Sequence, residues 1–450
     1  MTTTGRRATA VADRCGGGDD GETAADLTLF KAIGLHHMLK SGTAGRRFRA
    51  AYVWFARLIV AVQLLQVAGL YASANDLRRF ASMAVLAFNG LMCAFKGLVL
   101  ANNADRLREV LDVARYRYTA CGHRRPADMQ RTGATVSALL RTFATVSYCT
   151  LAVWVITPLL ADVAYVQIVH RDGTAAAYRA TIDNTWLPGM SETVYNWPPV
   201  WAAIYAIEVI MLTANVFNWM MFDCYLLTVC FVLNGQFRTL AVGYATIGSQ
   251  RPLRWCSCVR SRSGDPIVSF VKSGICAEND DVHNTGNADY YEDLIVHIID
   301  NQNIIKKYDD FFEIVRPVVI IQVVSSSISI VGLILLVELL YSMGESITFG
   351  PVLRLICALL SLTMEFYIYC YSFNYIEIAK CTLNFGLYSS NWTAMDLKFK
   401  KTLFMAMSMN SAHMKVMKLS PKYIINLEMF TSVMKMCYSM VSVILNSIEK

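Results

Sequence analysis

The feature that most constrains this chain is how its apolar residues are gathered. Several stretches of about 20 residues hold one charged side chain or none, the length of helix that crosses a hydrocarbon core of about 30 Å. Within such a core every backbone N–H and C=O must be satisfied internally, so the options narrow to helices or a closed barrel. The blocks are too long and too uniformly apolar for alternating barrel strands. Of the 450 residues 55% are hydrophobic and 17% charged, against about 45–50% and 25% in an ordinary soluble domain. The sequence therefore predicts an all-α polytopic membrane protein and argues against a soluble multidomain enzyme.

Spans are expected at 51–71, 80–100, 143–166, 200–221, 318–340, 351–371 and 427–445. The Lys and Arg residues between them sort sharply. Segments 1–50, 101–142, 222–317 and 372–426 hold 32 of them, and the alternate segments 72–79, 167–199, 341–350 and 446–450 hold 5. Basic residues accumulate on the cytoplasmic side of a membrane. The prediction is seven transmembrane helices with a cytoplasmic N-terminus and an extracellular C-terminus, opposite to a G-protein-coupled receptor. The net charge of +7 is thus a topology signal. The sequon Asn391-Trp392-Thr393 falls on the cytoplasmic side and is expected to stay unmodified.

Three divisions follow. Residues 1–50 form a cytoplasmic N-terminal segment, whose first 25 residues are too poor in apolar side chains to fold and contain no signal-peptide core. Residues 51–445 form the seven-helix domain. Within it, 248–288 is an Arg-, Ser-, Gly-, Asn- and Asp-rich loop. Helical spacing of apolar residues from Asp223 and from Tyr290 predicts that spans four and five continue into the cytoplasm, where their faces must bury against one another or a neighbouring subunit. Outside, Trp186-Leu-Pro-Gly and Trp197-Pro-Pro suit a lid at the membrane surface.

Ionisable residues inside spans cost about 2.5–3.5 kcal/mol each at mid-depth on insertion scales and mark functional candidates. Arg57, Lys96 and Arg354 lie close enough to span ends to snorkel. Lys435 lies near mid-depth of the last span, and the deep acids Glu208 and Glu365 are its candidate partners. The last span also carries Thr431, Tyr438, Ser442 and Asn446, with Val441, Ile444 and Leu445 beside them. Such polar and apolar striping suits a water-filled path with a hydrophobic constriction, and suits helix packing equally. Val85, Phe88 and Asn89 in span two, Ser147, Thr150 and Trp154 in span three, and Phe366, Tyr367 and Cys370 in span six offer the mostly apolar, sparsely polar lining of a small-ligand pocket. The same mix is also ordinary helix packing.

No catalytic motif, phosphate loop or dinucleotide fingerprint occurs, so neither an enzyme nor a cofactor is expected. The thirteen cysteines show no disulfide framework. Cys256, Cys258, Cys276 and His283 do not have the spacing of a zinc finger, and no metal site is expected. The basic segments lack the aromatic platform that nucleic-acid binding uses.

The C-terminal half resembles the insect odorant receptor family. The resemblance rests on Phe222-Asp223 followed by Gly235-Gln236-Phe237, on the helix with His297 and Gln302, and on Ser325-Ser326-Ser327. It continues through Tyr369-Cys370-Tyr371 with Asn374, Tyr388 to Trp392, and Phe399-Lys400. In the tail, Leu427-Glu428-x-Phe430 precedes Lys435 and Tyr438-Ser439 at the family's spacing. The resemblance implies a subunit of a ligand-gated non-selective cation channel in the membrane of a sensory neuron dendrite. Small volatile odorants, membrane lipid and a shared co-receptor subunit are the implied partners, in a heterotetramer. It further implies that helices four to seven extend into a cytoplasmic anchor region and that the last span lines the pore. Val441 and Leu445 would then form the gate, with Ile444 beside them and Lys435, Tyr438 and Ser442 along the pore. Ser147, Thr150, Trp154, Phe366 and Tyr367 would face the odorant. The 248–288 sequence and the Asn446-Ser-Ile-Glu-Lys ending do not resemble the co-receptor, which favours a tuning subunit. A gustatory-type receptor of the same fold and a transporter are the alternatives. The tail lacks the gustatory Thr-Tyr and Gln-Phe pattern, and no inverted repeat with broken helices is visible.

Overall fold

The structure, a computed structural model, describes residues 23–72, 77–116, 118–124, 126–160, 165–169, 175–185, 190–248, 255–259, 268–272, 285–342, 349–412 and 415–448. The helices are α1 (Leu27–Ala32), α2 (Leu35–Leu39), α3 (Gly42–Ala72), α4 (Leu77–Asn102), α5 (Ala104–Leu111), α6 (Ala120–Arg124), α7 (Pro126–Leu160), α8 (Glu192–Tyr195), α9 (Pro198–Ala245), α10 (Thr285–Ser342), α11 (Phe349–Tyr388), α12 (Leu397–Ala412) and α13 (Leu427–Ile448). Two antiparallel hairpins interrupt them, β1 (Tyr165–Val169) with β2 (Ala175–Arg179) and β3 (Trp255–Val259) with β4 (Val268–Lys272). Six described helices, α3, α4, α7, α9, α10 and α11, are long and apolar enough to cross a membrane. Helix α13 adds another 22 residues.

Helix length dictates the architecture. The 48 residues of α9 rise about 72 Å and the 58 of α10 about 87 Å, at 1.5 Å per residue. Both are more than twice the hydrocarbon thickness, so each must continue well beyond it. Helix α9 starts cleanly at Pro198, whose missing N–H is an orphan at a helix start anyway. From Met220 to Tyr244 its side chains are buried almost without interruption, as an all-round apolar helix requires. Its neighbours there are α7, α10 and α11. The close approach of α9 and α11 needs Gly386, where a Cβ would overlap the Ala241 carbonyl.

The N-terminal helices complete this packed end. Phe30, Ile33, Leu35 and Leu39 enter the main core. Asp26 caps α1 by accepting from Leu29 N at 3.1 Å and also accepts from Arg141 Nε of α7 at 3.0 Å. Burial works to raise its carboxyl, but hydrogen bonds from Thr28, Leu29 and Arg141 and the guanidinium charge hold it below the usual range. At the opposite end of the bundle, the β1–β2 hairpin and α8 form a smaller cluster around Ile168, Tyr178, Tyr195 and Ile204.

Three boundaries differ from the sequence reading. The third span was expected to reach 166, but α7 stops at Leu160 and Tyr165-Val166 belong to β1, paired with Arg179 and Tyr178. Cross-strand pairing satisfies those backbone groups instead. The 248–288 segment is not uniformly loop, because β3 and β4 pair within it from Trp255↔Lys272 to Val259↔Val268. Finally, the extension preceding the last span is a separate helix, α12. Pro421 cannot continue a helix, and a turn tied by Leu419 N donating to Tyr423 O at 2.9 Å separates α12 from α13. The expected disordered start (1–22) and the Trp186-Leu-Pro-Gly turn lie outside the described residues, as do the side chains of the Cys256, Cys258, Cys276 and His283 set.

Candidate functional site

Where α4, α7, α9, α10 and α11 meet, they leave a cavity of about 170 Å³. Its walls are mostly apolar, with Val85 and Leu86 of α4, Trp154 of α7, Trp219 of α9, Leu333 of α10 and Leu355, Ala358 and Leu362 of α11. Ser82, Asn89 and Ser361 add sparse polarity. Asn89 Nδ2 is already committed, donating to Val85 O at 2.8 Å and Ser329 Oγ at 3.0 Å. A larger cleft of about 360 Å³ lies at the packed end, but Asp128, Arg131 and Arg238 line it. A small lipophilic molecule suits the first and not the second.

One wall of the apolar cavity is ionic. Lys96 of α4 and Glu365 of α11 both line it, and with Asp223 of α9 they form a buried node. Lys96 Nζ lies 3.0 Å from Asp223 Oδ1 and also pairs with Glu365 Oε1. Tyr369 OH donates to Asp223 Oδ1 at 2.6 Å, and Gln322 Nε2 of α10 donates to Glu365 Oε2 at 3.0 Å. Lys96 is 1% exposed, Asp223 1% and Glu365 3%. This corrects the expectation that Lys96 snorkels. A lysine stem reaches outward only if nothing inside compensates the charge, and here two carboxylates do.

Lys435 does not pair with the deep acids either. Glu365 belongs to the node, and Glu208 accepts from three backbone amides of the connection after β2, Ile182 and Thr185 at 2.9 and 3.0 Å and Asp183 at 3.2 Å. Lys435 is exposed on α13. The Glu208 cap ties the connection to the cavity. Arg354 Nη1 of α11 donates to Ile182 O at 3.2 Å, and its guanidinium carbon sits 5.6 Å from the ring centre of Trp154, a cavity wall. Asp183 accepts from Gln66 Nε2 of α3 at 3.0 Å. Burial and the neighbouring Glu208 charge push the Asp183 carboxyl up to about 7, against the pull of Arg354 and Gln66.

Of the pocket residues read from sequence, Val85, Asn89 and Trp154 line the cavity. Thr150 sits beside it, its hydroxyl 3.3 Å from that of Ser361. Phe88 is 41% exposed on the outer face of α4. Ser147 is buried and donates to Phe143 O of its own helix, and Cys370 is buried in the core. Phe366 and Tyr367 instead meet α13, with ring centres 5.3 and 5.4 Å from Phe430. Trp219 and Gln322 were not selected from sequence, and Lys96 and Glu365 were singled out as charges within spans but not as walls of a pocket. For Lys96 and Glu365 the available signal was charge pairing, since the basic residues Arg57, Lys96, Arg354 and Lys435 and the deep acids Glu208 and Glu365 fall in spans that must share one interior.

On α13, Tyr438 is 76% exposed, and Ser442 donates to Tyr438 O of its own helix at 3.0 Å. Val441, Ile444 and Leu445 are on the helix, but their side chains lie outside the described residues. Among the described residues no cluster of His, Cys, Asp and Glu fits a metal ion.

A family model described as 7tm Odorant receptor matches residues 77–438. The chain belongs to the odorant receptor family. Two solved structures carry the same fold as this odorant receptor family member. The insect olfactory receptor OR5 from Machilis hrabei superposes with a TM-score of 0.68 at 12% identity, covering 93% of this chain and 97% of that one. The same protein in complex with eugenol gives 0.67 at 12% identity, covering 93% and 98%. No curated protein matches the chain. This family member is a multi-pass helical membrane protein with the insect receptor fold.

Proposed function

We propose that the chain is the tuning subunit of an odorant-gated, non-selective cation channel that assembles with a co-receptor in the dendritic membrane of a sensory neuron. The observation that carries the reading is the apolar cavity lined by five long helices. An engineered dry cavity of about 150 Å³ holds benzene, so 170 Å³ suits a ligand of about one ring with short substituents. The OR5 complex with eugenol, a substituted single ring, supports this ligand class.

The family's topology accounts for the rest. We infer seven spans, α13 being the last, with the N-terminus cytoplasmic on the strength of the 32-to-5 distribution of basic residues. The packed end, where α9, α10 and α11 overrun the bilayer, is then the cytoplasmic anchor through which subunits meet. Helix α13 leaves Tyr438 and Val443 76% and 65% exposed in the single chain, which suits a position on the axis of an assembly. Helix α11 couples the two sites. Ser361 and Glu365 face the cavity, and the next two residues, Phe366 and Tyr367, press on Phe430 of α13. A ligand that binds more tightly when α11 is displaced pulls α13 with it, and it shifts gating only by that difference in affinity.

The test is co-expression with a co-receptor and recording of volatile-evoked cation current under G-protein blockade. Currents that persist under blockade support the reading. Surface expression without current across a broad panel of one-ring volatiles overturns it. Leu445→Ser should raise basal leak or alter permeation, and unchanged currents would remove the gate from that position.

A further inference from the structure

The ionic wall of the cavity has more negative than positive partners. Two carboxylates, Asp223 and Glu365, share the single ammonium of Lys96, and all three are at least nine-tenths buried. Tyr369 and Gln322 supply neutral donors to the carboxylates but no charge. Within the node itself the unmet hydrogen-bonding groups are acceptors. Asp223 Oδ2 and Gln322 Oε1 are buried acceptors with no partner, and Gln322, which lines the cavity, is 3% exposed. Buried acceptors left unmet are costly, and a buried net charge more so.

We propose that this cavity prefers lipophilic primary amines, bound as ammonium ions with the charged head against Glu365 and the hydrocarbon body against Trp154, Leu333 and Leu355. The inference rests on the reading of this cavity as the odorant site. An ammonium brings the missing positive charge and three donors in one small group. Lys96 repels it, but a bound ammonium favours the ionised form of both carboxylates, and the node then carries one excess negative charge that governs the interaction in a poorly screened interior. The body fits because the remaining wall is apolar. A neutral alcohol is the rival ligand, since it also donates a hydrogen bond and can accept one from Trp219 Nε1, an unpaired buried donor on the same wall.

Three probes of similar shape separate these cases, cyclohexylmethylamine, cyclohexylmethanol and methylcyclohexane. Their affinities for the full chain in lipid nanodiscs are measured at pH 7 by ligand-induced thermal stabilisation. An amine of this kind is protonated there, as a lysine is. The expected result is amine binding at least about tenfold tighter than the alcohol, with the preference collapsing toward unity in Glu365→Gln. Asp223→Asn gives an independent second variant and should reduce the preference as well. Binding of the alcohol and the hydrocarbon without amine preference overturns the inference alone and means that the node holds its own proton. An amine preference retained in both variants also overturns it. If none of the three probes binds, the odorant-site reading falls as well.

Discussion

Replacing Lys96 by Met should be among the most damaging single changes outside the helix crossings. Lys96 bridges α4 to α9 and α11 through its two ion pairs. Removing it leaves two carboxylates within one buried site, held only by Tyr369 and Gln322. Breaking a buried ion pair by deleting one partner typically costs about 3–5 kcal/mol, which is about two to four decades in the folded-to-unfolded ratio. Glu365→Gln should be far milder, because it leaves Lys96 and Asp223 as a balanced pair and keeps a hydrogen-bonding side chain opposite Gln322. Adding Asp223→Asn and Glu365→Gln to Lys96→Met should recover much of the loss, since an uncharged site has no stranded ion. The assay is the yield and thermal midpoint of detergent-solubilised protein by fluorescence-detected size exclusion. Equal losses in Lys96→Met and Glu365→Gln, or no recovery in the triple variant, would refute the charge argument and reduce the node to packing.

Other consequences are equally open to measurement. Asp183 titrates near 7 when folded and near 3.8 when unfolded, so the folded state holds the extra proton between those values. Its contribution therefore weakens stability as pH rises from about 4 to 7, and Asp183→Asn should flatten the thermal midpoint over that window. A slope identical to that of the parent would place the titration elsewhere. Gly386→Val should cost at least about 1–3 kcal/mol by forcing α11 off the Ala241 carbonyl, read as lost surface expression. Ala358→Trp should fill much of the cavity and abolish ligand-evoked current while preserving surface expression, whereas an unchanged dose response would move the ligand site elsewhere.

The spans, the basic asymmetry and the helical continuation past Asp223 were legible in the amino-acid order because each is a local property. Apolar run length, charge between runs and 3.6-residue spacing need no knowledge of neighbours. The family was legible through short motifs in the C-terminal half. Partner choice was different. Lys96 and Glu365 are 269 positions apart and each looked excusable or ambiguous alone, and only the packing of α4, α9 and α11 made them one node. The same holds for the cavity. Val85, Asn89 and Trp154 reach it, while Phe366 and Tyr367, on the same helix as Glu365, turn to Phe430. A rotation of 100° per residue about a helix axis separates wall from contact, and the sequence does not contain the position of that axis relative to its neighbours. Sequence by itself determined that this chain crosses a membrane as helices and which of its ends carry charge. Tertiary structure decided which buried charges compensate one another, because desolvated ions are governed by distances of a few ångströms that only the packed helices set.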